Sequence, residues 1–232
     1  MATIDSQQHT RPALADRAVP RWQRYVPGHH WKNAHDEFEG AKIGMWLFLT
    51  TEVLLFAGLF VAYAVFRMKY PEAFINGSHY LDWRFGFINT CVLLLSSFTV
   101  AWSVRNAQLD ERDKLVRNLF ISVVCGGVFL AIKFIFEYGP KWAEGKRPGS
   151  LFSYPNAENA YEPIWWGVYY GATAIHAAHV VIGMALLTWV MVGAMKGKYG
   201  PKHYTSVENV GLYWHLVDLI WIFLFPLLYL IH

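Results

Sequence analysis

The chain has 232 residues, of which 55% are hydrophobic, 17% aromatic and only 16% charged, with a formal net charge of +3. That balance excludes an ordinary water-soluble domain, and the small positive charge is too weak for a nucleic-acid footprint. Cys91 and Cys125 both fall inside apolar blocks, so neither a disulfide framework nor a cysteine-based metal site is visible. An all-α, polytopic membrane protein remains.

Residues 1–40 carry no apolar run of the signal-peptide kind and are rich in Arg, His, Gln and Pro. They read as a polar cytoplasmic tail, disordered on composition, with Trp22, Tyr25 and Trp31 placed to rest at the headgroup level. His29, His30 and His35 raise a metal site as the competing reading.

The membrane domain spans 41–232. Its first helix is expected over 43–66, where a single ionisable side chain, Glu52, interrupts the apolar run. Nine residues in, at about 1.5 Å per residue, the carboxylate lies roughly 14 Å below the surface, near the bilayer midplane. A carboxylate there is costly, so it faces a protein interior or a wet cavity, takes a proton, or has a partner.

Four further helices are expected at 85–104, 115–136, 164–195 and 207–231. The link RNAQLDERDK makes the second and third antiparallel neighbours, and MKGKYGPKHYTS does the same for the fourth and fifth. Residues 139–163, with Pro140, Pro148, Pro155 and Pro163, read as an extended external loop and a candidate partner contact. With the N-terminus inside, thirteen Lys and Arg lie in inner segments and seven in outer ones. That asymmetry orients the chain N-in and C-out.

Polar residues inside these helices share faces. Glu208, His215 and Asp218 form one stripe of the fifth helix, His176 and His179 one stripe of the fourth, and Asn89 lies seven residues from Ser96 on the second. Gly126 and Gly127, and Gly167 with Gly171, permit close helix approach. The candidate partners for Glu52 are His176, His179 and Asp218. The same polar residues can instead fix packing by hydrogen bonding across helices. Lys133 and Glu137 read most simply as an i,i+4 pair at the membrane edge. A haem between His176 or His179 and His215 is geometrically awkward, because two histidines three apart cannot supply both axial faces.

The run VENVGLYWHLVDLIWIFLFPLLYL (207–230) resembles the last helix of subunit III of the haem-copper oxidases. GATAIHAAHVVIG (171–183) is similar to that family's His-Gly-x-His-Val helix, with Ala177 in place of the usual glycine. The resemblance extends to 88–102 and 43–66 but not to residues 1–40.

It implies an accessory subunit without redox centres, the haem and copper being held by partner subunits, docked on the catalytic subunit I beside subunit II and further respiratory-complex subunits in a bacterial cytoplasmic (inner) membrane. Glu52 matches the family's buried, carbodiimide-reactive glutamate. The longer relatives' first two helices, which complete a cleft holding phospholipid, have no counterpart here. Stabilisation of the catalytic subunit, proton uptake and oxygen access during aerobic electron transport are the implied roles. A quinol oxidase or nitric oxide reductase subunit, or an independent membrane haem or proton-transport module, are the alternatives.

Overall fold

A computed structural model describes residues 20–231, positions 27 and 30 excepted. It is all-helical in its regular structure, with seven α-helices among the described residues: α1 Ala34–Lys69, α2 Pro71–His79, α3 Trp83–Gln108, α4 Arg112–Ile132, α5 Gly139–Ala143, α6 Glu162–Met195 and α7 Thr205–Tyr229. Five spans are long and apolar enough to cross a membrane: α1, α3, Arg112–Ala143, α6 and α7. This is the expected five-span, multi-pass membrane protein.

Each boundary has a local cause. The Asn33 side chain caps α1 by accepting from the Asp36 N–H at 2.8 Å. Asp36 and Glu37 in the first turn and Arg67 and Lys69 in the last complement the helix dipole. Residues 34–40, read as tail, are therefore the opening turns of α1. Pro71 stops α1 and starts α2, its missing N–H being one of the donors a first turn leaves unpaired. The tight link after α3 puts Asp110 at φ 59°.

Residues 20–33 are docked rather than free. The Trp22 N–H donates to the Gly197 carbonyl at 3.3 Å, and Tyr25 stacks on His203 with ring centroids 3.7 Å apart. A Cβ on Gly200 would fall 2.6 Å from the Trp22 ring, so glycine is what admits the indole. Residues 1–19 and His30 lie outside the described residues.

Helices α3, α4, α6 and α7 pack as one bundle, with α1 laid against the α6–α7 edge. The difference in burial is large. Only Leu49, Phe56 and Tyr63 of α1 are buried, whereas α7 buries twelve residues. Trp214 of α7 is clasped between two helices: a Cβ on Gly126 of α4 would stand 2.9 Å from its ring, and one on Gly183 of α6 2.7 Å. The expected close approach thus falls at Gly126 and Gly183. Gly167 and Gly171 have nothing within 4 Å of a Cβ position and mediate no contact.

The third span does not end at 136. It continues through a π-helical stretch, Lys133–Tyr138, into α5. Pro140 has no N–H to offer the Phe136 carbonyl, and the ladder widens just before it. Residues 139–163 are therefore helical at their start rather than extended.

Candidate functional site

Glu52 projects from the middle of α1 toward α6, where His179 Nε2 lies 2.8 Å from its Oε2. The other ring nitrogen of His179, Nδ1, sits 2.8 Å from the Ile175 carbonyl. A carbonyl oxygen only accepts, so Nδ1 carries its proton, and the Glu52 contact holds one more on either the carboxyl or the ring. The pair is thus net neutral as an acid beside an imidazole, or balanced as an ion pair. Either form removes the isolated charge that hydrocarbon would penalise. Phe56 meets the imidazole edge-on, with centroids 5.0 Å apart, and Tyr213 covers its face at 6.4 Å.

The pair is not sealed. Its His179 and Glu52 side chains are 13% and 17% exposed. Around it α1 presents Val53, Leu54 and Leu55 outward, so a proton donor or a lipid can reach the site from the side of α1.

The remaining candidates do not join this pair. Glu208 pairs with Lys42 of α1 at 2.7 Å near the N-terminal end of the bundle. His215 Nδ1 meets the Ser97 hydroxyl at 2.7 Å and faces the α1–α7 groove beside Trp46 and Thr50. Asp218 is buried next to Ser97 and Cys125. Asn89 is wholly buried, and both of its amide atoms lack a hydrogen-bond partner. His176, three residues before His179, points into the core, where Phe129 and Trp221 pack on it at 5.6 and 5.3 Å and neither nitrogen is bonded. One stripe of α6 thus serves two different neighbourhoods. Among the described residues no three His, Cys, Asp or Glu side chains converge as a metal site requires.

The structure corrects the reading of Lys133 and Glu137. They are a pair, with Nζ 2.6 Å from Oε2, but their side chains are 1% and 3% exposed, inside the bundle rather than at its edge. The ammonium donates to Glu137, to the Tyr169 hydroxyl at 3.2 Å and to the Tyr229 hydroxyl, which uses all three of its N–H groups. Both tyrosines in turn donate to Glu137 Oε2. The rings of Tyr169, Trp221 and Tyr229 stand 5.0, 5.0 and 5.1 Å from Nζ, an internal aromatic cage. Lys133 also leaves the count of outer-side charges, reducing the seven outer cations without reversing the asymmetry. The available signal was two opposite charges inside an apolar run, AIKFIFEY, of span length.

Comparison with known proteins decides which scaffold this is. The family model for cytochrome c oxidase subunit III matches residues 21–232. The chain belongs to the cytochrome c oxidase subunit III family. Among curated relatives named cytochrome c oxidase subunit 3, that of Thermostichus vulcanus is 29% identical over 200 residues, covering 86% of this chain and 91% of its own length. The Struthio camelus protein is 28% identical over 210 residues, 87% and 72% respectively, and the Homo sapiens one 27% over 221, 92% and 76%. As a subunit III, the chain is of the haem-copper oxidase type, and the match reaches back to residue 21, taking in the docked segment around Trp22 and Tyr25.

Proposed function

We propose that this chain is the accessory subunit III of a proton-pumping terminal oxidase of the cytochrome c oxidase type, holding no redox centre itself. It docks on the catalytic subunit I, together with subunit II, in a bacterial cytoplasmic membrane, N-terminus inside, with haem and copper in those partners and phospholipid along its flanks. There it stabilises the catalytic subunit, sustains proton uptake and keeps an oxygen-permeable apolar path beside it.

The observation that carries this reading is the Glu52–His179 contact, 2.8 Å long and partly open on the α1 side. A purely structural pair of this cost would be expected to be sealed and fully bonded, as Lys133–Glu137 is. Instead a single mobile proton sits between two groups of convertible charge at the edge of the bundle. Shifting it between Glu52 and His179 changes the local dipole without creating net charge, which suits a group that buffers proton supply to a neighbouring pump.

The test is Glu52→Gln in the assembled oxidase. The expected outcome is a nearly unchanged initial rate with fewer turnovers before inactivation. An unchanged catalytic lifetime together with unchanged proton uptake would reduce Glu52 to packing. The optical spectrum of the complex purified through this chain reads the haems, and copper analysis of the accompanying subunit II distinguishes a cytochrome c-linked from a quinol-linked enzyme.

A further inference from the structure

At the end of α1 remote from the N-terminus, a groove runs between α1 and α7 and is crossed by the start of α2. Its volume is about 470 Å³, and its walls are Phe60, Ala64, Met68, Pro71, Ile75 and Leu227, with Tyr63 and Arg67 at the mouth. Arg67 is the unusual member. Of its five N–H donors the structure engages one, in a long 3.4 Å bond to the Tyr63 hydroxyl. That hydroxyl is itself committed, donating to the Leu227 carbonyl. No carboxylate of the described residues lies within ion-pair distance of the guanidinium. The nearest acid in sequence, Glu72, accepts from the Asn159 amide at 3.4 Å, and Lys69 lies over the Tyr70 ring at 5.4 Å.

A guanidinium at the polar boundary of a membrane span, above a purely apolar channel, is complementary to one kind of ligand: an anionic oxygen group followed by a hydrocarbon chain. Arginine's planar fork matches a phosphate in two-pronged fashion, and cationic pockets between transmembrane helices bind lipid headgroups. Because Pro71 and Ile75 of α2 close over the end of the groove, it suits a flexible acyl chain better than a continuing helix of ~10 Å diameter.

We propose that this groove is a binding site for one membrane phospholipid, its phosphate on Arg67 and an acyl chain against Phe60, Ala64, Ile75 and Leu227. The proposal deepens the expectation of flanking phospholipid made above and rests on it. It adds a defined site, on the α7 side of α1 and away from Glu52. The bound lipid fills the seam between α1 and α7 that protein side chains leave open.

The experiment is phospholipid retention by the complex purified through this chain in mild detergent, counted by phosphorus assay and native mass spectrometry. Arg67→Gln is expected to lose one retained phospholipid per complex with the subunit composition unchanged. Arg67→Lys should retain it but release it at lower detergent. Ala64→Phe, which fills the channel with Arg67 intact, should lose it too. An unchanged lipid count in Arg67→Gln overturns the site. Loss of a neighbouring subunit with the lipid count unchanged also overturns it, and assigns Arg67 to a protein carboxylate. The haem spectrum of the same preparation reports separately on membership of an oxidase, so failure of one idea is not mistaken for failure of the other.

Discussion

Two acidic side chains enter the apolar part of this bundle, and they are held in opposite ways. Glu137 is enclosed: one ammonium and two phenol hydroxyls converge on its Oε2, and three aromatic rings wall off the cation. Glu52 has one partner, His179, and one open flank. Burial of both charges with full hydrogen bonding makes the first pair stationary. A titratable partner and an exit make the second convertible. A membrane interior tolerates a carboxylate in either form, but only the second can exchange a proton with its surroundings.

The largest effect that would sharpen this contrast comes from breaking the enclosed pair. Lys133→Met leaves a buried, unpaired carboxylate and is expected to destabilise the fold by about 3–5 kcal/mol, read from unfolding in mixed micelles. The double variant Lys133→Met with Glu137→Leu removes both charges. It should recover most of that loss, because an apolar pair of similar volume is close to neutral. If the single and double variants prove equally unstable, packing of the aromatic cage, not charge compensation, holds this region.

Next in size is Gly183→Leu, which drives a side chain into the Trp214 ring and should cost about 1–3 kcal/mol or more through overpacking. It tests whether the enclosed region depends on the α6–α7 clasp below it. Glu52→Gln should cost less than about 1 kcal/mol, since the amide keeps a hydrogen bond to His179 across a partly open site. A carbodiimide should label Glu52 and spare Glu137. Labelling of Glu137 in the folded protein, detected by peptide mass, would break the contrast outright.

The smallest effect concerns the docked segment 20–33. Burial, then the Lys198 charge, lower the His203 pKa from its ordinary 6.5, against a raising contribution from Glu37. A lowered histidine is neutral in the docked state and takes up its proton on release. The docking contribution is therefore fully present above pH 6.5 and declines as the pH falls below it. Hydrogen exchange around Trp22 and Tyr25 should accelerate over that acidic range. His203→Phe, which keeps a ring against Tyr25, should remove the pH dependence.

The five spans were legible because apolar runs of that length seldom occur outside a bilayer, and Glu52 stood out because it was the one charge in such a run. The choice among its three candidate partners was not legible. His176 and His179 differ by about 60° around α6, and only the packing of α1 against that helix decides which one meets the carboxylate. Lys133 and Glu137 were misplaced because Pro140 reads as a terminus, whereas a π-helical stretch carries the helix past it. Helix α2, PEAFINGSH, holds Asn, Gly and Ser in its last turns and has little intrinsic preference for helix. It exists because Gly77 lets it lie against Trp165, where a Cβ would stand 2.1 Å from the ring. That is a tertiary cause with no local sign.

The far end of α7 is finished by distant parts of the chain: Tyr63 bonds the Leu227 carbonyl, and the Ser78 hydroxyl bonds the Ile231 carbonyl at 3.0 Å. These closing bonds join residues separated by 164 and 153 positions. During synthesis α7 emerges after every helix it must meet, so the earlier spans wait in the lipid with the slot for Trp214 vacant and Tyr63 and Ser78 without acceptors. Insertion of this last helix is then the moment at which the subunit becomes a finished part, and a ribosome stalled before it leaves an open bundle that membrane quality control can tell from the completed one.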